Sequence, residues 1–402
     1  MGPRMNRSTI GAVAALVLFG LLAPFAASAQ TSSDHPLEVE ELRCRGNVAT
    51  SCDFILDYLY LEPGDPLDET EVRNAQLRLA TLRMFSSVNV YLEKGSGRGK
   101  VVVIIEVAET DPLVTEWLVG ASYRLGAFRS VTAGRLTHQN LFGAGKFADL
   151  TVSTVQPLNG LSEKRYVATL RYADPHLFDS RRYFGIVTAS YVDSEVTTRY
   201  GNFGENTMLR FGTTLGRRLW DFSYLSVNYG YRARLEQRSG LWQDDGTFEI
   251  KDNQNRHAID VLYGWNSEDD IYFPTRGSSF QTGFGWNTGS DDPDNEFHLQ
   301  FRKTWALRDG FVSLALGGDP SPEYRQTLSE SQFLAVTYAQ PVTPGDFVRR
   351  GRWYIEAGNG HSGYREGGQR INEFGLKVGI RLETSTLGLI DLYVLGTRDE
   401  DP

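Results

Sequence analysis

From Glu116 onward, hydrophobic and polar residues alternate with a period of two, in about fifteen segments of roughly 8–14 residues separated by polar or glycine-rich turns. In the clearest segment, 225–235, the odd positions are apolar and the even positions are polar or glycine. Successive side chains of a strand point to opposite faces, so each segment predicts a strand with one apolar face. The sequence therefore predicts an antiparallel β structure over residues 113–402.

A soluble β-sandwich and a transmembrane β-barrel both produce this alternation. The segments here match the length of about 9–11 residues that a tilted strand needs to cross a bilayer, and aromatic residues recur at the ends of the apolar faces. Closure into a barrel also removes the unpaired strand edges that lipid does not tolerate. We therefore expect a membrane barrel of 14–16 strands. Single-chain bacterial barrels have even strand numbers, which favours 14 or 16.

A different pattern occupies residues 38–109. A strand at 37–43 is followed by helical apolar spacing at 52–61, then by a second helix for which Asp68 is a plausible N-cap, and then by strands at 88–92 and 101–107. This order, β-α-α-β-β, predicts a small α/β domain. The change of period at Pro112 marks the boundary between the two regions.

The first 29 residues carry Arg4 and Arg7, an apolar run, and the small residues Ala27-Ser28-Ala29. A basic head, an apolar core and an A-x-A site are typical of a cleaved secretory signal. We expect residues 1–29 to be a signal peptide, 30–37 a linker, and the mature chain to be exported. The predicted location is the outer membrane of a Gram-negative bacterium, in contact with its lipids and with the domain at 38–109 in the periplasm.

The remaining composition narrows the chemistry. A formal net charge of −9 gives no electrostatic support for a nucleic-acid partner. Cys44 and Cys52 lie eight apart, and in an oxidising compartment a disulfide is favoured over a zinc site, which needs about four ligands. The GxGxxG match at 358–363 is not followed by a helical pattern. No enzyme motif, cofactor or metal is predicted.

Several motifs together resemble a known family. RGN (45–47), PGD (63–65), MFSSVNV (84–90) and VVVIIEVAE (101–109) resemble a polypeptide-transport-associated (POTRA) domain. HQNLFGAGKF (138–147), YADPHLF (172–178), DDIYFPTRGSSF (269–280), WYIEAGNG (353–360) and EFGLKVGIRLETSTLGLIDL (373–392) resemble, in order, the barrel of the BamA/TamA/FhaC superfamily of outer-membrane assembly factors and secretion pores. The family-motif positions are Asn140, Gly143, Gly145, Asp174, Pro175, Asp270, Pro274 and Gly277.

The chain departs from the family at a loop that the family folds into the lumen. The family carries an Arg-Gly-aromatic tripeptide there, whereas this chain reads GGDPSPEYRQ (317–326), which retains Tyr324 and Arg325. The alternation around Trp353 and Ile355 places Glu356 in the lumen. The resemblance implies an acidic partner for the loop arginine, so we expect Arg325 to pair with Glu356. The alternative is a hydrated Glu356 in a wide pore. The family also has one more strand after the match to 388–396, where this sequence ends in TRDEDP.

Two functions follow from the resemblance. The first is an assembly or translocation factor that inserts or exports β-rich client polypeptides without nucleotides, with possible periplasmic or lipoprotein partners. For it, the exposed edge at Val88, Asn89, Val90, Tyr91 and Leu92 is a candidate for pairing with an extended client, unless Glu93 and Lys94 blunt that edge. The second is a passive pore or structural barrel that keeps the fold without insertase activity.

Overall fold

A computed structural model describes residues 37–400 except 83, 125–126, 159–163, 198–201, 221, 242–254, 271, 289–294, 319–331 and 367–368. The predicted signal peptide and most of the predicted linker lie outside the described residues. No helix in the described part of the chain is long and apolar enough to cross a bilayer.

The first folded part, which we call the N-terminal unit (38–109), has the predicted order β-α-α-β-β. Its elements are β1 (Glu38–Arg45), α1 (Cys52–Leu56), α2 (Glu69–Ala80), β2 (Phe85–Lys94) and β3 (Lys100–Glu109). The sheet order is β1-β3-β2, with β1 parallel and β2 antiparallel to β3. Asp68 caps α2 as expected, since its carboxylate accepts from the backbone N–H groups of Thr70 and Glu71.

The core of the N-terminal unit lies between its sheet and its two helices. The side chains that are fully or almost fully buried come from the first and central strands, from both helices and from the segment after α1: Val39, Val103, Ile105, Ile55, Leu79 and Leu59. Burial of such aliphatic groups is the main driving force for folding of a small domain. The helices therefore cover one face of the sheet, and β1 and β2 remain as its two edges.

The rest of the described chain is a closed barrel of fifteen strands. They are β4 (Leu113–Arg124), β5 (Ala127–Leu141), β6 (Lys146–Pro157), β7 (Lys164–Asp174), β8 (Tyr183–Thr197), β9 (Asn202–Arg218), β10 (Ser223–Leu241), β11 (Arg256–Asn266), β12 (Gly277–Thr288), β13 (Asn295–Ala306), β14 (Phe311–Gly318), β15 (Gln332–Val342), β16 (Val348–Glu366), β17 (Gln369–Thr384) and β18 (Leu389–Glu400). A 3₁₀ turn, Leu177–Asp179, follows β7.

The number of strands falls within the predicted range, but the expectation of an even number is wrong. Sequential strands pair antiparallel around the barrel, whereas β18 pairs with β4 in parallel. Strand direction alternates along the chain, so an odd number of strands brings the first and last strands together in the same direction. The parallel closure is therefore a consequence of the count of fifteen. We call this pairing the seam.

The alternation in sequence matches the two faces of the wall. In β10, Leu225, Val227 and Tyr229 are more than two-fifths exposed on the outer face, while Ser226 is buried on the inner face. The outer faces of the other strands are likewise apolar, with exposed Trp117, Val119, Leu150, Val152, Leu170, Val187, Phe211, Leu215, Ile259, Trp286, Leu334, Ile355, Leu376, Val378 and Val394. The barrel therefore presents an apolar belt outside and a polar lumen inside, which is the pattern of a membrane barrel.

Candidate functional site

The N-terminal unit is fixed to the turn between β5 and β6, at the mouth of the barrel that we call the proximal mouth. Asn140 donates from Nδ2 to the hydroxyl of Thr50 at 2.9 Å, and its Oδ1 accepts from the N–H of Gly145 at 2.9 Å. The N–H of Ser51 donates to the carbonyl of Gly143 at 2.9 Å. One asparagine thus shapes its own turn and binds the loop at 45–51 of the N-terminal unit, which we call the docking loop.

Two glycines allow this close approach. Gly143 and Gly145 have φ of +70° and +65°, a region that side chains with a Cβ rarely adopt. A Cβ on Gly145 would lie 2.0 Å from Cζ of Phe54, the first aromatic residue of α1. Both glycines are therefore required by the turn, and each also allows a close contact, Gly143 with the backbone at Ala49 and Gly145 with Phe54 of α1.

The next turn, 175–182, contacts the same helix. The ring of His176 lies 4.9 Å from that of Phe54 and 5.4 Å from that of Tyr58, and its Nδ1 is 3.0 Å from the carboxylate of Asp57. Burial lowers the pKa of His176, and the opposing attraction of Asp57 does not overcome it. Burial also raises the pKa of Tyr58 to about 12.

The motif residues before His176 form the base of this turn. The carboxylate of Asp174 accepts from the N–H of His176 at 3.0 Å and pairs with Nζ of Lys146 at 2.9 Å. The carbonyl of Pro175 accepts from Arg218 of β9 at 2.8 Å. Five of the family-motif positions, Asn140, Gly143, Gly145, Asp174 and Pro175, therefore build one junction between the N-terminal unit and the barrel.

The predicted disulfide closes the docking loop. Cys44 and Cys52 are bonded, and the loop between them contains the residues that reach the barrel. Glu109 holds the same loop from β3, because its carboxylate accepts from the N–H groups of Ala49 and Thr50 at 2.9 and 2.8 Å. Burial of the Glu109 carboxylate acts to raise its pKa, but the hydrogen bonds to it outweigh burial. The pKa of Glu109 therefore lies below its usual range.

The other three motif positions lie in or directly after the turn between β11 and β12, which we call the crossing loop (267–276). One carboxylate oxygen of Asp270 accepts from the N–H groups of Tyr272 and Phe273 at 2.7 and 2.9 Å, and the other pairs with Arg350. Pro274 lines the lumen. Gly277 ends the loop with a φ of +110°, where a Cβ would lie 2.4 Å from the carbonyl oxygen of Ser267.

The crossing loop spans the lumen near the proximal mouth. The hydroxyl of Tyr272 donates to Glu116 of β4, a strand seven places from β12 in the closed order of fifteen. Arg381 of β17 donates to the carbonyl of Tyr272 at 3.3 Å. Phe273 is buried below the guanidinium of Arg350 of β16, which lies 4.7 Å from its ring centroid. The loop therefore contacts the opposite wall at three strands.

Charged groups fill the lumen around this loop, mostly as pairs. Arg302 binds Glu268 with two hydrogen bonds, of 2.6 and 2.5 Å. Arg381 pairs with Asp391, which also accepts from the hydroxyl of Tyr354 at 2.8 Å. A cavity of about 530 Å³ remains between these groups. No cluster of potential metal ligands occurs among the described residues.

Glu356 faces this cavity, and the hydroxyl of Thr337 on β15 donates to its carboxylate at 3.0 Å. Tyr324 and Arg325 lie outside the described residues, so the contact between Arg325 and Glu356 stays a prediction. Sequence reasoning missed the crossing loop as part of the lumen. Its signal was the pair of aromatics within DDIYFPTRG, which is unusual for a solvated turn.

The sequence profile of the Omp85 superfamily domain matches residues 140–368, more than half of the 402-residue chain. The chain belongs to the Omp85 superfamily. Over 265 residues it is 23% identical to the outer membrane protein assembly factor BamA of Nitratidesulfovibrio vulgaris, a match that covers 64% of this chain and 31% of that relative. The chain thus spans less than a third of the length of the curated relative that it matches.

Solved structures share the Omp85 fold of this chain. CdiB from Acinetobacter baumannii is similar with a TM-score of 0.57 and 13% identity, over 87% of this chain and 68% of that one. CdiB from Escherichia coli is similar with a TM-score of 0.57 and 12% identity, over 94% of this chain and 78% of that one. As an Omp85 barrel with an apolar belt, the protein resides in the outer membrane of a Gram-negative bacterium.

The seam of this Omp85 barrel is well aligned. Eight residue pairs register β18 against β4, from Leu389 with Glu116 to Gly396 with Tyr123. Tyr393 lies on Gly120, where a Cβ would be 2.4 Å from its ring. Side-chain hydrogen bonds reinforce both ends, from Thr115 to the carbonyl of Leu387 at 2.9 Å and from Thr397 to the carbonyl of Tyr123 at 3.2 Å.

Proposed function

We propose that this Omp85 protein inserts or translocates β-rich polypeptides at the outer membrane, and that a client strand enters between β4 and β18. The relative in Nitratidesulfovibrio vulgaris is named an outer membrane protein assembly factor, which supports the class of activity. The observation that carries the proposal is the parallel seam. No nucleotide site takes part in this proposal, because the free energy of strand pairing and burial drives the insertion.

The parallel seam favours exchange for a simple reason. Parallel pairing is slightly less stable per residue than antiparallel pairing, and every other strand pair of the barrel is antiparallel. Because β4 and β18 run in the same direction, one strand of opposite direction inserted between them is antiparallel to both. Insertion thus replaces one parallel ladder by two antiparallel ladders. The contact of Tyr393 with Gly120 and the two threonine hydrogen bonds are what an incoming strand has to displace.

The test is to lock the seam. Val119 and Leu392 are aligned partners across it, so the double variant Val119→Cys/Leu392→Cys joins β4 to β18. The matched control, Val119→Cys/Thr132→Cys, joins β4 to its antiparallel neighbour β5 at the same residue of β4. Each variant replaces the wild-type protein in a depletion strain, and the outer-membrane proteome is profiled.

The seam-locked protein should reproduce the loss of clients seen on depletion, and a reductant should restore them. The control lock should support a normal proteome before and after the reductant, which also accounts for reduction of the native disulfide. A normal proteome with the seam locked would contradict strand entry there and would favour the passive barrel.

Under this proposal the N-terminal unit faces the periplasm and its β2 edge captures clients before insertion. β2 is an edge strand of the sheet, which leaves one side of its backbone available for a further strand. Gln76 of α2 already donates to the carbonyl of Val88 at 2.8 Å, so the start of the edge is covered. Pairing is therefore proposed for Val90, Tyr91 and Leu92, beyond that contact.

A further inference from the structure

Arg352 on β16 faces the lumen near the crossing loop and lacks an anionic partner among the described residues. Its guanidinium carbon lies 5.7 Å from the ring centroid of Phe273 and 5.2 Å from that of Phe311. Its Nε is buried and has no hydrogen-bond partner. A buried donor without a partner is costly, so Arg352 favours an acceptor that the described residues do not supply.

Asp391 attracts the guanidinium of Arg352 but forms its ion pair with another arginine. The residue opposite Arg352 on β17 is Arg381, which is paired with Asp391. Another neighbouring charge is Arg302, which is paired with Glu268. Five cationic side chains but three carboxylates line the cavity among the described residues, so positive charge is in excess there: Arg135, Arg302, Arg352, Lys377 and Arg381 against Glu116, Glu356 and Asp391. Like charges that lie opposite each other on neighbouring strands are destabilising, so an anion between them lowers the free energy of the barrel.

We propose that Arg352 is the centre of a binding site for an oxyanion, either a phosphate or a carboxylate, in the lumen. The planar guanidinium presents donors in a fixed fork that matches both groups, and the faces of two phenylalanine rings hold that plane in place. The cavity of about 530 Å³ in front of it has room for either ligand and is also lined by Arg302 and Arg381. The proposal does not depend on the assembly activity.

A structural role for Arg352 is the competing explanation, since its ring contacts also hold Phe273 of the crossing loop. A direct measurement of phosphate binding distinguishes the structural role of Arg352 from a role in oxyanion binding. The full chain, purified in a maltoside detergent that contains no phosphate, is titrated with inorganic phosphate at fixed ionic strength, and the ³¹P line width is measured. The variants are Arg352→Gln and Arg352→Lys. The control is Arg349→Gln, which removes an exposed arginine three residues away.

Wild type and the Arg349→Gln control should broaden the phosphate line saturably and equally. Arg352→Gln should weaken binding by about tenfold or more, the scale of one lost charge-assisted hydrogen bond. Arg352→Lys keeps the charge without the fork, so its binding should lie between the two. Heat-dependent migration in gels checks that each barrel is folded.

A capped glutamate added as competitor identifies the source of the oxyanion. Displacement of phosphate shows that the site accepts a side-chain carboxylate, and retained phosphate binding shows that it selects phosphate. The proposal is overturned if wild type shows no saturable binding, if both Arg352 variants bind as wild type does, or if Arg349→Gln loses binding to the same extent as Arg352→Gln.

Discussion

The junction between the N-terminal unit and the barrel depends on Gly145, because glycine has no Cβ. Gly145→Ala would place a Cβ in the ring of Phe54 at a φ of +65°, so either the turn or the helix α1 has to move. We expect docking of the N-terminal unit to become less favourable by about 1–3 kcal/mol, the scale of strained backbone positions. Hydrogen exchange of α1 measures the change.

The matched control is Gly396→Ala in β18, where a Cβ would meet nothing within 4 Å. It should leave the exchange of α1 at the wild-type rate. Equal protection of α1 in Gly145→Ala and in wild type would show that the close contact does not hold the junction.

For single residues, the sequence predicted the face of the strand on which a side chain lies, but it did not predict which residues that side chain contacts. Alternation placed Glu356 in the lumen, because the face of a strand residue depends only on its neighbours in the chain. Its hydrogen bond from Thr337 depends on the register between two strands, which alternation does not specify. Asn140 and Gly145 were identified by family resemblance, but their contacts with Thr50 and Phe54 join residues about ninety apart in sequence.

Among the elements, the turn that carries His176 makes docking of the N-terminal unit sensitive to pH. The charged groups that act on His176 are Asp57 directly after α1, Arg218 of β9 and Asp174 at the end of β7. Because burial lowers the pKa of His176 from 6.5, the docked state favours the neutral ring. We therefore expect docking to be at full strength above about pH 6.5 and to weaken as the pH falls towards the lowered pKa.

We expect α1 to exchange amide hydrogens faster relative to β3 at pH 5 than at pH 7.5, after correction for the intrinsic rates. His176→Phe keeps an aromatic ring between Phe54 and Tyr58 and cannot be protonated, so it should remove this dependence. An unchanged dependence in His176→Phe would assign it to another group.

The crossing loop is the element that narrows the lumen at the proximal mouth. Asp270→Ala removes the acceptor of two backbone N–H groups and a partner of Arg350, so the loop should loosen. Channel conductance in planar bilayers should then rise. The control Asp309→Ala removes an exposed carboxylate from the neighbouring turn at the same mouth and should conduct as wild type does. Equal conductance of all three proteins would mean that the loop does not restrict ion flow.

The loop at 318–328, which we expect to fold into the lumen, gives a separate prediction for the same assay. If Arg325 pairs with Glu356, Arg325→Ala and Glu356→Ala should each raise the conductance. The cost to stability should be about 1–3 kcal/mol for a buried pair and close to zero in a hydrated pore. Wild-type conductance and melting in both variants would speak against a plug and for the passive barrel.

For the whole molecule, the order of helices and strands could be predicted from the sequence, but the way in which the barrel closes could not. The change from mixed helical spacing to strict alternation separates the N-terminal unit from the barrel, because each pattern is local. The count of fifteen and the parallel seam depend on how the two ends of the barrel meet. The rule of even strand numbers therefore failed here. The crossing loop was missed for the same reason, since it contacts strands on the opposite wall.

The topology of the whole chain is testable on intact cells. With residues 38–109 in the periplasm, externally added protease should leave the N-terminal unit uncut, because the outer membrane shields it. Permeabilised cells are the control, in which cleavage within 38–109 should appear. Cleavage there from outside, with the membrane intact, would show that the proximal mouth faces the medium.

The contacts at the two ends of the seam join Thr115 to Leu387 and Thr397 to Tyr123, over separations of 272 and 274 residues. Contacts between such distant parts of a chain form late, because loop closure has to precede any gain from them. Until β18 arrives, β4 and its antiparallel neighbours form an open sheet with an unpaired edge and an apolar face, which is prone to aggregate. We therefore expect this barrel to depend on protection from aggregation until its last strand has paired, rather than only until an earlier hairpin has formed.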